Sequence, residues 1–202
     1  MIRFLLVALA LALTTAPPAA RAGDPRGACL LAAERLEEAR SLPDGLLQAI
    51  ALVETGRPRP DHPARFAWPW TIHAEGRGQW FDSRAEAVAA VEALQARGVK
   101  SIDVGCFQVN LKHHPAAFRD LESAFTPAEN ARYAADFLKK LFGRTRSWTM
   151  ATAHYHSSNP DNGLPYRQRV MQAMDEVRRL AAEAWRARRL EAWRAEQGND
   201  QG

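Results

Sequence analysis

Cysteine is scarce in this chain of 202 residues, with only Cys29 and Cys106 present. The six histidines are scattered, and together with the two thiols they show no spacing typical of metal ligands. The sequence therefore predicts no metal site, and nothing in it calls for a cofactor.

Long apolar runs are also scarce. The only marked one covers 4–13, follows the basic start Met1-Ile-Arg3, and leads to the small residues Ala20-Arg-Ala22. This pattern is typical of a secretory signal peptide cleaved before Gly23, and the run is too short to span a bilayer. We predict a signal peptide over 1–22, an exported protein and no stable membrane insertion.

Charge of one sign is not concentrated enough to indicate a nucleic-acid partner. The formal net charge is only +4, with a sequence pI of about 9.4, and much of the excess lies near the C-terminus. Such a mild excess of positive charge is compatible with binding an anionic polymer such as a cell wall. It is equally compatible with having no charged partner at all. Export argues further against nucleic acid.

Export also bears on the two cysteines, because disulfides persist in oxidising compartments. A Cys29–Cys106 bridge would close a long loop and contribute about 4–5 kcal/mol to stability in the chain-entropy model. Two independent buried thiols are the alternative. We favour the bridge, because free thiols are a liability outside the cytoplasm.

About 180 residues remain after the signal peptide, enough for one domain with a substantial core. Apolar periodicity and capping signals predict a mainly helical fold with a small β-hairpin, an α+β class. The predicted helices cover 28–40, 46–54, 83–97, 126–142, 148–156 and 166 onward, and the hairpin covers 70–82. The Pro-rich stretch 57–63 is interpreted as turns.

Glu54 is the most informative residue, because it is a carboxylate on an apolar helical stripe. Spacings of four and seven residues place it with Ile50 and Leu47, and Gly56 marks the helix end just after it. Partial burial and the negative end of the helix dipole both raise the pKa of a carboxyl group. Such a group is suited to general acid catalysis. The alternative is a structural Glu that pairs with a neighbouring arginine.

Four short motifs follow one another along the chain. They are Glu54-Thr-Gly56, Asp103-Val-Gly-Cys-Phe-Gln-Val-Asn110, Ala153-His-Tyr155-His156 and Pro165-Tyr166-Arg-Gln-Arg-Val170. The ordered set resembles the SLT-type lytic transglycosylases, lysozyme-fold enzymes that cleave peptidoglycan. The resemblance implies a lysozyme-like helical domain over 23–178 with an insertion at about 57–102. A charged helical extension and tail would then occupy 179–202.

The resemblance implies specific roles near the acid. Glu54 matches the family's single catalytic carboxylate, and Thr55 stands where the family commonly has Ser. Gln108 and Asn110 match amides that line the substrate groove, where they can both donate to and accept from amino-sugar groups. If that stretch is extended, both side chains face the cleft. The alternative is a turn satisfied by its own side chains.

Two tyrosines complete the implied site. Tyr155 matches a tyrosine whose hydroxyl reaches the catalytic Glu, although His156 replaces the Asn that the family has beside it. Tyr166 matches a tyrosine near the start of the last helix, interpreted as a wall of the groove. For both, the alternative is core packing with a satisfied hydroxyl.

Hydrolysis of a glycosidic bond usually needs two carboxylates, and the sequence offers Glu54 no persuasive partner. Asp103 is predicted to lie on a packed strand, and Asp61 and Asp82 lie in the insertion. A single carboxylate fits the non-hydrolytic reaction implied by the resemblance, which cleaves the MurNAc–GlcNAc β-1,4 bond and leaves 1,6-anhydroMurNAc ends.

The implied setting is the periplasm, and the implied partner is the glycan strand of peptidoglycan. Enzymes of this family serve wall turnover or open gaps for secretion, pilus or flagellar assemblies, and the sequence favours none of these. Two alternatives remain open: a goose-type lysozyme-like hydrolase, and a non-catalytic cell-wall-binding assembly module.

Two further groups of residues have ordinary explanations. The aromatic residues of the predicted hairpin form either a wall for stacking sugar rings or a small hydrophobic cluster: Trp68, Trp70, Trp80 and Phe81. The histidines at 113, 114 and 154 are interpreted as structural or surface residues rather than as catalytic bases.

Overall fold

The computed structural model describes residues 24–59 and 62–199 of the chain. The predicted signal peptide, Asp61 and the last three residues of the predicted tail lie outside the described residues. Within them, none of the helices combines the length and the apolar character that a bilayer crossing requires.

The fold is mostly helical, with two small antiparallel sheets. The helices are α1 (Pro25–Arg40), α2 (Leu46–Thr55), α3 (Arg84–Ala96), α4 (Leu121–Ala124), α5 (Pro127–Thr145), α6 (Trp148–His156) and α7 (Pro160–Asn199). The strands are β1 (Gly56–Arg59), β2 (His62–Ala67), β3 (Thr71–Ala74), β4 (Arg77–Trp80), β5 (Ile102–Val104) and β6 (Val109–Asn110). The predicted α+β class is confirmed.

The predicted hairpin is confirmed as β3 and β4, which pair antiparallel from Thr71↔Trp80 to Ala74↔Arg77. It belongs to a larger sheet of order β4-β3-β5-β6. Around the stretch interpreted as turns, β1 and β2 form a second hairpin. Proline fixes an extended φ and lacks only an amide donor, so the edge strands of a two-stranded sheet accept it.

The last helix begins at Pro160, not at Tyr166 as predicted. Asn159 accepts a hydrogen bond from the amide of Asp161 at 2.9 Å, so the Asn-Pro pair starts a helix. Pro165 lies inside α7 in its second turn, where it removes one amide donor from the helix.

Two hydrophobic clusters support the fold. The larger one joins α1, α2, α5, α6 and α7, and the smaller one packs β3 and β5 against α3 and α4. A cleft lies where the helices of the first cluster face the sheet of the second, and residues from both sides line it. The boundary between two packed bodies thus creates the space for a site.

A disulfide bridge joins Cys29 in α1 to Cys106 in the turn after β5, as predicted. Both cysteines are buried, and their Cα atoms lie 5.6 Å apart. The bridge ties the first helix to the turn that lines the cleft.

Helix α2 carries Glu54 and is held firmly at both ends. At its start, the buried carboxylate of Glu37 accepts hydrogen bonds from the amides of Gly45 and Gln48, each at 2.9 Å. A carboxylate at a helix N-terminus is stabilised by the unpaired amides and by the dipole. At its end, the Thr55 hydroxyl donates to the carbonyl of Cys106 at 3.2 Å.

Candidate active site

The cleft has a volume of about 790 Å³ and brings together most of the predicted site residues. Glu54, Thr55, Gln108, Asn110 and Tyr155 all line it. Tyr166 is absent from this lining and is only 1% exposed, so it lies behind the wall. The interpretation of Tyr166 as a groove wall is therefore wrong.

Glu54 lies in the last turn of α2, with Ile50 and Leu47 fully buried on the same stripe as predicted. The pKa of Glu54 is raised to about 7, chiefly by burial, and the nearby negative charge of Asp103 contributes to the rise. A hydrogen bond from Tyr166 and the positive charge of Arg169 lower the pKa and so limit the rise. The result is a carboxyl group that holds and releases a proton near neutral pH.

Tyr166 donates its hydroxyl hydrogen to Oε1 of Glu54 at 2.7 Å. Its ring stacks on His156, with centroids 4.7 Å apart and planes 7° from parallel. A Cβ at position 163 would lie 2.5 Å from the carbonyl oxygen of Ser157, so Gly163 lets the start of α7 approach the end of α6 this closely. That close approach places Tyr166 beside the acid.

Tyr155 does not reach the acid in the structure. Its hydroxyl donates to the backbone carbonyl of Phe107 at 2.9 Å, and its ring lies parallel to that of Tyr166 at 6.4 Å. The implied contact between Tyr155 and Glu54 is thus made by Tyr166 instead. Tyr155 holds the turn after β5 against the helices.

That turn depends on Gly105 and on a buried asparagine, Asn130. Gly105 has a φ of +78°, and a Cβ there would lie 2.5 Å from the Asn130 side chain. Asn130 accepts from the amide of Phe107 at 2.9 Å and donates to the carbonyls of Val104 and Ala124. One amide side chain therefore fixes the backbone that presents Gln108 and Asn110.

Sequence reasoning missed Asn130, although the same signal that singled out Glu54 was present. Asn130 is a polar residue on the buried stripe of α5, together with Ala134, Leu138 and Leu141. It is 1% exposed. A buried amide in such a position needs specific partners, which indicates a structural junction.

Gln108 occupies a left-handed backbone conformation, with φ of +47°, so the chain forms a turn here and is not extended. Such a conformation is uncommon outside glycine and is held here by tertiary contacts. Its Nε2 donates to the carbonyls of Thr71 and Gly105, at 3.1 and 3.0 Å. Its Oε1 accepts no hydrogen bond from the described residues and is available to a ligand.

Asn110 lines the cleft, but its amide is already engaged. Nδ2 donates to Asp103 at 2.7 Å and to Ser101 at 3.1 Å, and Oδ1 accepts from the amides of Lys112 and His113. Thr55 likewise donates within the protein, to Ala51 and Cys106. The polar groups of Asn110 and Thr55 are thus used within the protein. These two residues hold the cleft backbone in place rather than bond a ligand directly.

Asp103 is the second carboxylate of the cleft, and sequence reasoning set it aside as part of a packed strand. Its side chain is 29% exposed, accepts from Asn110, and lies 3.4 Å from Nδ1 of His73. It lines the same cleft as Glu54 and raises the pKa of that residue. The alternation along β5 could have placed it, because Ile102 and Val104 face the core and Asp103 faces away.

The two sides of the cleft differ in character. The sheet side carries Asp103, His73 and the 51% exposed Trp80, whose ring lies 5.2 Å from the Arg57 guanidinium. Trp68 and Trp70 pack edge to face and stay outside the lining, so they form the hydrophobic cluster given as the alternative. The helix side carries Tyr133, Phe137 and Arg144. Three histidines interpreted from the sequence as structural or surface residues also line the cleft: His113, His114 and His154.

Within residues 24–59 and 62–199, no group of three or more His, Cys, Asp or Glu side chains is arranged to hold a metal ion. Comparison of the chain with family models, curated proteins and solved structures gives no match. What the site can do is therefore argued from its own geometry. An acid with a pKa near neutrality faces a cleft large enough for a ligand of several hundred Å³.

Proposed function

We propose that this protein is a peptidoglycan lytic transglycosylase with a lysozyme-like fold, acting in the periplasm. The observation that carries the proposal is Glu54, whose pKa is raised to about 7 at the wall of the cleft. A carboxyl group in that state can both give and take a proton at neutral pH. The ordered motifs described in the sequence, and a disulfide that suits an oxidising compartment, support the same assignment.

In the first step, Glu54 gives its proton to the oxygen that bridges MurNAc and GlcNAc. The bond from that oxygen to C1 of MurNAc breaks, and positive charge develops at C1, where the neighbouring acetamido group assists. Loss of the proton leaves a carboxylate, which the Tyr166 hydroxyl stabilises by its 2.7 Å hydrogen bond. Tyr166 is thus suited to the state of Glu54 that follows cleavage.

In the second step, the Glu54 carboxylate takes the proton from the C6 hydroxyl of MurNAc. The C6 oxygen attacks C1 and closes the 1,6-anhydro ring, so the proton count at Glu54 is restored. Gln108 offers its free Oε1 to an N–H or O–H group of the sugar, which would help to hold the ring in place. In this reaction the substrate supplies its own nucleophile.

The test replaces Glu54 by Gln, which keeps the shape and removes the titratable proton. Glu92→Gln is the matched control, because Glu92 is exposed on α3 and lies outside the cleft. Wild type and Glu92→Gln should release anhydromuropeptides from purified sacculi, detected by mass spectrometry, and Glu54→Gln should lose at least about 10³-fold in rate. Anhydro products from Glu54→Gln at the control rate would contradict the assignment.

A lysozyme-like hydrolase is the second candidate, and Asp103 is the observation that favours it. A second carboxylate in the cleft could orient a water molecule as a base, the usual division of labour in glycoside hydrolysis. The same mass spectra separate the candidates, because hydrolysis leaves reducing ends that are heavier by one water. Binding to sacculi with neither product would instead indicate a non-catalytic wall-binding module.

A further inference from the structure

The helix side of the cleft carries a positive charge that the proposed chemistry does not use. Arg144 lies in the last turn of α5 and lines the cleft, and it forms no salt bridge within residues 24–59 and 62–199. His113 and His154 line the same cleft. Lys140 and His113 lie close enough to His114 that their charges help burial to lower its pKa.

Acidic side chains do not neutralise this charge. The lining contains only two carboxylates in the described part of the chain, Glu54 at the end of α2 and Asp103 on the sheet. Asp103 already interacts with His73 and Asn110. An arginine that faces a cleft without a protein partner is suited to an anionic ligand, because its planar guanidinium binds a carboxylate through two hydrogen bonds.

A row of rings connects this side of the cleft to the acid. His114 contacts Phe137 with centroids 4.9 Å apart, Phe137 contacts Tyr155 at 5.7 Å, and Tyr155 lies 6.4 Å from Tyr166, which holds Glu54. Arg144, His113 and Glu54 all line this one cleft. A single ligand in the cleft could touch both the arginine and the acid.

We propose that Arg144, with His113 and His154, forms a carboxylate-binding subsite for the peptide stem of the glycan strand. This inference rests on the proposed function. The sugar rings offer hydroxyl, ether and acetamido groups, which are neutral, whereas the peptide attached to the lactyl group of MurNAc carries free carboxylates. The cleft would therefore select strands that keep their peptides over strands stripped of them.

The first measurement is binding, made without turnover in the Glu54→Gln background. Calorimetry compares the GlcNAc–MurNAc disaccharide carrying its peptide with the same disaccharide lacking it. The peptide should tighten binding roughly tenfold, as expected for a charge-assisted contact in a partly open site. Adding Arg144→Gln should abolish that gain, and Arg144→Lys should keep part of it.

The matched control is Arg146→Gln in the same background, because Arg146 is exposed two residues away and lies outside the cleft lining. It removes the same charge from the same end of α5 and should leave the gain unchanged. An equal loss in both variants would show a general charge effect and overturn the subsite. A peptide that adds no affinity to the Glu54→Gln protein would overturn it as well.

Turnover separates this inference from the function on which it rests. Wild type should cleave intact glycan strands faster than strands stripped by an amidase, and Arg144→Gln should cleave the two alike. Cleavage of both by wild type at equal rates would remove the subsite and keep the transglycosylase. Peptide-dependent binding without cleavage of either would keep the subsite and remove the transglycosylase.

Discussion

Burial of Glu54 lowers the stability of the protein at every pH at which this carboxyl group ionises in the unfolded chain. The pKa of Glu54 is about 7 in the folded protein, whereas the ordinary pKa of a glutamate carboxyl group, as in an unfolded chain, is 4.5. Between these values unfolding releases a proton, so the free energy of unfolding falls as the pH rises through this window. The difference reaches up to about 3 kcal/mol above pH 7 and is absent below pH 4.5.

Glu54→Gln should remove this dependence. The variant should gain up to about 3 kcal/mol relative to wild type between pH 4.5 and pH 8, since Gln has no proton to lose. Urea denaturation at a series of pH values measures the difference. Glu92→Gln should follow wild type throughout, and a flat difference for Glu54→Gln would show that burial does not perturb the acid.

Asp103 and Tyr166 should move the pKa of Glu54 in opposite directions. Asp103→Asn removes a negative charge that raises this pKa, so the pKa should fall and the loss of activity at high pH should begin at lower pH. Tyr166→Phe removes a hydrogen bond to the charged form, so the pKa should rise and that loss should begin at higher pH.

Titration of the Glu54 carboxyl by NMR checks both shifts directly, whatever each substitution does to the rate. Asp175→Asn serves as the control, because it removes an exposed carboxylate on α7 outside the cleft. Shifts of the same sign in the Asp103 and Tyr166 variants would contradict the electrostatic account.

At the scale of elements, the turn from Gly105 to Gln108 depends on particular residues for its backbone conformation. Asn130 bonds the amide of Phe107 in this turn and the carbonyls of Val104 and Ala124 beside it, and an Asn130→Ala variant would lose all three hydrogen bonds. We expect a loss of about 2–4 kcal/mol in unfolding free energy, with a fall in kcat because Gln108 moves. Gln95→Ala, on the exposed face of α3, should change neither quantity.

Local signals predicted the helices that have one apolar face and a clear cap. Ser83 accepts from the amide of Glu86 as its motif predicts, and α6 begins and ends where the sequence placed it. The same reasoning did not predict the start of α7 at Pro160. Asn and Pro residues both follow helix ends and begin new helices, so the pair at 159–160 by itself indicates only the end of α6.

The acid of the candidate site could be predicted from the sequence, but its surroundings could not. A carboxylate on an apolar stripe identifies Glu54 from residues four and seven positions away. Its contact with Tyr166 joins residues 112 positions apart and depends on how closely α7 packs on α6. The second carboxylate, Asp103, required knowledge of which face of β5 meets the cleft.

At the scale of the whole molecule, the Cys29–Cys106 bridge closes a loop of 77 residues that includes α2 and both hairpins. Replacing both cysteines by Ser should lower the free energy of unfolding by about 4–5 kcal/mol in the chain-entropy model. Urea unfolding of the oxidised wild type and the double variant measures the change. Equal stabilities would show that packing alone holds α1 to the cleft turn.

Helix α7 runs without interruption from Pro160 to Asn199, and Trp185 and Trp193 are each 56% exposed on its outer half. Trp193 follows Tyr166 by 27 residues along this helix, a separation of about 40 Å at 1.5 Å per residue. The outer half of α7 is thus an attachment site remote from the cleft. A fluorophore or surface linkage attached near the carboxyl end would lie far from the cleft, so the protein could be immobilised there with the cleft left open to a ligand.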